Sequence, residues 1–147
     1  MLKNFLLNPK VRLFFSALGA LDASYLTWEH FAKASVFCLT ANSCDSVLSS
    51  AYATIGSLPV SALGILYYGI LFALSVYFFR SHDERVAPIF FYMTSAGLAA
   101  SAIFVFLQFF VIHAICPYCM LSAATTLILF SAGLIQLRVL EAEPQKI

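Results

Sequence analysis

Apolar residues in this chain do not alternate. They gather into four long runs, about 11–28, 58–79, 86–112 and 114–137, separated by short polar stretches. A helix that spans a bilayer needs roughly 20 mostly apolar residues, and each run is near that length. A membrane strand would show period two, and none of the runs does. The pattern predicts an all-α membrane protein: a four-transmembrane-helix bundle forming a single domain over residues 1–147. The first run holds Asp22 in its interior, and the other three contain no Asp, Glu, Lys or Arg. The first run also lacks a small-x-small cleavage pattern at its end, so it is read as a retained span rather than a signal peptide. The longest polar interval, Glu29–Ser57, joins the first two runs.

Composition strengthens this reading. The chain is 62% hydrophobic and 10% charged, against about 45–50% and 25% in soluble domains. A net charge of +1 with no basic block excludes a nucleic-acid partner. The basic residues set the orientation. Lys3, Lys10, Arg12, Arg80, Arg85, Arg138 and Lys146 fall on one side of the spans, against Lys33 on the other. Basic residues near span ends prefer the cytoplasm. Both termini are therefore expected inside, and the Glu29–Ser57 loop and the turn at His113 outside.

That orientation places all four cysteines, Cys38, Cys44, Cys116 and Cys119, on the outer face, where disulfides persist. Cys38 and Cys44 lie in the loop. Cys116 and Cys119 form a Cys-Pro-Tyr-Cys motif at the head of the fourth run. Pro117 suits a first helical position, so the last span is expected to begin at the motif. The free N–H groups there favour a thiolate. Three readings remain open at this point. The cysteines could form two structural disulfides, although a two-residue spacer is more typical of redox pairs. They could bind a metal through four thiolates. Or one pair could exchange with the other, in a relay from a soluble protein to a lipid-soluble oxidant.

The stretch from Cys38 to Gly69, followed by Cys-Pro-Tyr-Cys on the fourth run, resembles the vitamin K epoxide reductase family, most closely its prokaryotic members. The stretch from Gly19 to Phe31 resembles that family's first span. The resemblance implies a short surface helix between helices 1 and 2, carrying Ser50. It implies that Cys38 exchanges with a thioredoxin-like partner, that Cys44 attacks Cys116, and that Cys119 faces a quinone of the ubiquinone, menaquinone or phylloquinone type. The expected activity is thiol oxidation that supports disulfide formation outside the cytoplasm, with the partner a separate protein and no metal bound. Ala123 and Val60 stand where animal members carry the tyrosine and asparagine that hold vitamin K, which favours quinone over epoxide reduction. The alternatives are vitamin K reduction without protein oxidation, or a non-enzymatic metal-binding thiol protein.

A quinone pocket should be apolar with few polar groups. Its candidate residues are Leu63, Tyr67, Phe106, Phe110, Met120 and Ala123. Asp22 is a functional suspect because ionisable groups inside spans are costly; Gln108 is a polar group it could pair with. His113 is expected to cap the short outer turn, or to protonate a quinol oxygen.

Overall fold

The computed structural model describes residues 2–32 and 43–142; Lys33, Cys38 and Lys146 lie outside them. A short helix α1 (Leu2–Leu7) leads into α2 (Pro9–Ala32). Asn8 caps α2 by accepting the Lys10 N–H on its side chain at 3.0 Å, and Pro9 occupies the first position, where its missing N–H costs nothing. A six-residue helix α3 (Ser43–Leu48) and a small hairpin, β1 (Thr54–Ile55) with β2 (Leu58–Pro59), follow. The hairpin turns at Gly56, whose φ of +65° disfavours any other residue. Then come α4 (Val60–Ser81), α5 (Val86–Leu107), a π-helical turn at Gln108–Ile112, and α6 (Pro117–Ala142). His82, in the left-handed region, stops α4. Asp83 accepts the Arg85 N–H ahead of α5 at 3.0 Å.

Three of these segments, Val60–Ser81, Val86–Ile112 and Pro117–Ala142, are long and apolar enough to cross a membrane. Helix α2 has 24 residues, but Arg12 and Asp22 interrupt its apolar run. It packs along α4 and α6, while α5 packs on α6. The last long helix starts at Pro117 rather than at Ala114, because Ala114–Cys116 form the turn that carries the chain into the proline.

The packing has the inside-out character of a membrane protein. Phe14, Leu66, Tyr92, Ile103 and Phe110 are exposed, whereas Ser16, Ser75, Thr94, Thr125 and Thr126 are buried. Several buried hydroxyls bond back to a carbonyl one turn earlier, as Ser16 does to Arg12 at 2.7 Å and Thr94 to Phe90 at 2.9 Å. These bonds satisfy polar groups where no water reaches. Arg12 does not project into water as its place at the helix end suggests. It is 3% exposed, with its guanidinium over the Phe78 ring at 4.6 Å and the Phe90 ring at 5.5 Å.

Small residues let the helices approach. The Tyr68 ring lies on the bare face of Gly19, and the Tyr67 hydroxyl lies on that of Gly97. Tyr68 crosses to α6, where its hydroxyl meets the Ser122 carbonyl at 2.9 Å, the Ser122 hydroxyl at 2.8 Å and the Thr126 hydroxyl at 2.8 Å. Gly19→Val must push the Tyr68 ring aside, and overpacking of this kind costs about 1–3 kcal/mol. Gly69→Ala meets open space and gains about 0.5–1 kcal/mol of helix preference. Thermal unfolding in detergent should therefore show a lower midpoint for the first variant and an equal or higher one for the second.

Candidate redox centre

The outer end of the bundle is organised by one amide side chain. Gln108 opens the π-helical turn and is 2% exposed. Its backbone carbonyl accepts the His113 N–H, and the Ala114 N–H at 3.2 Å. Its side-chain Oε1 accepts the Cys116 N–H at 2.8 Å. A five-residue turn this short leaves N–H groups that the helices themselves cannot satisfy, and Gln108 takes three of them. His113 sits at the corner with φ of +54° and an exposed side chain. It caps the turn through its backbone and does not line the cavity described below.

Cys116 then stands just before Pro117, in the N-cap position of α6, and its carbonyl accepts the Met120 N–H at 3.1 Å. The position shapes the chemistry of its sulfur. The Cys116 thiol is lowered to about 7, first because the Cys119 thiol donates a hydrogen bond to its sulfur. Burial opposes that effect, and the N–H groups of Cys119 and Tyr118 reinforce it. These are the second and third N–H groups of the helix, the ones an N-cap side chain reaches.

Cys44, in the first turn of α3, is disulfide-bonded, whereas Cys116 and Cys119 are free thiols. Cys44 and Cys116 are both fully buried, in one packed cluster with Leu26 and Val47. Cys119, Tyr25 and Tyr118 pack against that cluster, with the two tyrosine rings 5.2 Å apart. The loop cysteine and the first cysteine of the motif thus share one dry compartment. Ser50 lies two residues beyond the end of α3 rather than on it, and its hydroxyl bonds the Val47 carbonyl at 2.7 Å.

Below the cluster opens a cavity of about 470 Å³, within the usual range for a small-molecule site. Cys119 is the one described cysteine on its wall. The helix α6 contributes Cys119, Ser122, Ala123 and Thr126, spaced by three, one and three as one helical face requires. The helix α4 contributes Leu63 and Tyr67, α5 contributes Phe104 and Val105, and the π-helical turn contributes Gln108. Ser50, Tyr52 and the hairpin residues Ile55 and Pro59 also line it. The expected lining residues Leu63, Tyr67 and Ala123 therefore face this cavity.

Phe106, Phe110 and Met120 do not. Phe106 and Phe110 stack on each other at 4.8 Å and are 55% and 67% exposed, on the outer side of α5 and its π turn. Met120 follows Cys119 directly, so it sits about 100° away round the helix. Asp22 does face the cavity, which the sequence left unassigned: it is 8% exposed and its Oδ2 has no hydrogen-bond partner.

Comparison with known proteins agrees with the motif. The sequence pattern of the vitamin K epoxide reductase family matches residues 10–134. The thiol-disulfide oxidoreductase LTO1 of Arabidopsis thaliana is 31% identical over 120 residues, covering 75% of this chain and 31% of that protein. The chain thus spans about a third of the length of the curated relative it matches.

The Cys116 geometry is open to direct titration. With Cys116 and Cys119 reduced, ultraviolet thiolate absorbance should rise through a midpoint near pH 7, the thiolate prevailing above it and the thiol below. Cys119→Ala removes the first donor and should move the midpoint toward the ordinary thiol value of about 8.5. Cys119→Ser keeps a donor and should hold it lower. An unmoved midpoint in Cys119→Ala would rule out the sulfur–sulfur hydrogen bond as the cause.

Proposed function

The chain belongs to the vitamin K epoxide reductase family, and from that premise we propose that it is a four-span membrane thiol oxidoreductase passing electrons from an extracytoplasmic dithiol to a membrane quinone. The family takes its name from the reduction of a quinone's epoxide, and integral membrane placement follows from the three apolar helices and the family together. The single observation that carries the reading is the placement of the sulfurs. Cys44 and Cys116 are packed together in one buried cluster, and Cys119 lies on the cavity wall. That is the arrangement a relay from the loop pair through the motif pair to a molecule in the cavity requires.

In this reading α2 crosses the membrane as the first of four spans, with both termini in the cytoplasm and the cysteines outside. A thioredoxin-like partner attacks Cys38 of a Cys38–Cys44 disulfide and leaves as its own disulfide, with both loop thiols reduced. Cys44 attacks Cys116, breaking the Cys116–Cys119 bond and releasing Cys119 as a thiolate, which takes up the proton Cys44 gave up. Cys38 then attacks Cys44 and releases Cys116. A thiol leaves faster when its pKa is low, and the N-cap environment of Cys116 supplies that property. Two electrons have then moved from the loop pair to the motif pair, with no other oxidant required.

The cavity suits the ring of a quinone. Its wall is largely apolar, and the few polar side chains on it include Ser61, whose hydroxyl has no partner. A bound quinone supplies the two-electron oxidant. Cys119 presents its sulfur to that space, the Cys116 thiolate stands ready to close the disulfide on it, and the hairpin shields the outer end from water. Ser50 lends its hydroxyl to hold the α3 segment over the cavity.

Turnover with a periplasmic-type thioredoxin dithiol and a short-chain quinone tests this scheme. Cys38→Ala should abolish oxidation of the dithiol while the protein still binds quinone. Oxidation at the wild-type rate in that variant would show that the electrons enter elsewhere.

A further inference from the structure

Quinol formation moves protons as well as electrons, and the electron path above leaves the protons unassigned. Asp22 is the one Asp or Glu among the residues lining the cavity. It sits on α2 one turn below Leu26, which packs against Cys44 and Cys116. Its side chain is more than nine-tenths buried and its Oδ2 has no hydrogen-bond partner. A carboxyl that merely joined two helices would have its oxygens bonded across the interface, because a buried polar atom left unpaired costs about 1–3 kcal/mol.

No cation among the described residues pairs with it. The nearest basic residue along α2 on the inner side, Arg12, is ten positions away, about 15 Å along the helix, and is engaged with Phe78 and Phe90. The field of Asp22 does reach the redox pair, where it is one of the influences on Cys116. A buried carboxyl with an unpartnered oxygen, on the wall of a cavity that also holds a free thiol, has the means to carry a proton between that thiol and a molecule in the cavity.

We propose that Asp22 is the proton carrier of the quinone half-reaction. The proposal rests on the function proposed above and assigns a role to a side chain that the cysteine relay does not use. In the step, the Cys119 thiol gives its proton to Asp22 as its sulfur engages the quinone. Asp22 passes that proton to the quinone oxygen. The Cys116 thiolate closes on Cys119, forming the S–S bond and completing the transfer of two electrons. The second proton, lost when Cys116 ionised, is returned to the other oxygen from solvent. Two thiols become one disulfide, the quinone becomes quinol, and Asp22 ends as it began.

The test uses the full chain in detergent, a dithiol reductant and a short-chain p-quinone, with quinol followed by absorbance. Proton transfer of this kind contributes about 10²–10⁴-fold. Asp22→Asn keeps the shape and loses the carrier, so kcat should fall by about 100-fold at an unchanged KM. Asp22→Glu keeps a carboxyl and should recover much of that loss. The assignment is overturned if Asp22→Asn reduces quinone at the wild-type kcat, if KM alone moves, or if Asp22→Glu is as impaired as Asp22→Asn, which would mark a structural role. Wild-type protein that cycles its thiols but reduces no quinone would instead overturn the function beneath the proposal, and the proposal with it.

Discussion

An N–H group at the head of a helix has no partner within the helix, and near hydrocarbon that deficit is expensive. At Cys116 the Oε1 of Gln108 fills it, at 2.8 Å, while the Gln108 carbonyl holds the two residues at the corner of the turn. The rest of the outer architecture follows. With the backbone of Cys116 fixed, Pro117 can begin α6 without strain, and the Cys116 sulfur lies over the first free N–H groups of that helix. The sulfur is brought against Cys44 on one side, and Cys119 is turned toward the cavity on the other. The extra residue of the π turn lets Gln108 point inward while Phe109 and Phe110 point out. Such turns are frequent at functional sites because they re-aim side chains without breaking the helix.

The site thus divides into two environments set by how far along the head of α6 each sulfur stands. Cys116 shares a dry cluster with the loop cysteine Cys44, shielded from water and small thiols. Cys119 lies one turn along, on the face that continues through Ser122, Ala123 and Thr126. The two thiols of one short motif therefore have different surroundings. Tyr68, seated on Gly19 and bonded to Ser122 and Thr126, ties that face of α6 to α4 and lines the cavity.

Much of this was legible in the sequence. Uninterrupted apolar runs locate long helices because a membrane span has a minimum length, and Pro117 marks the start of the last one because proline fits a first helical position. The packing of Cys44 with Cys116 agrees with the expectation that loop and motif cysteines lie close together. What failed was the assignment of faces. A run that is apolar all round carries no periodic signal, so Phe106, Phe110 and Met120 could not be told from Phe104, Val105 and Ser122, and the π turn rotated the end of α5 unannounced. Gln108 offered a signal that the motif reading did not use as a support for Cys116: an amide in a run otherwise relieved only by hydroxyls and small residues must have a partner. Asp22 offered the same signal, a carboxyl in an apolar helix, without revealing what it faces.

The claim on which the account stands is that Cys44 and Cys116 are the sulfurs that meet. Its most direct measurement is peptide mapping by mass spectrometry, without reduction, of a Cys38→Ser, Cys119→Ser double variant purified from the membrane and mildly oxidised. That variant leaves each of the two sulfurs without its usual partner. The account predicts an intramolecular Cys44–Cys116 disulfide in most of the protein. Two free thiols after oxidation, or links only between separate molecules, would contradict it.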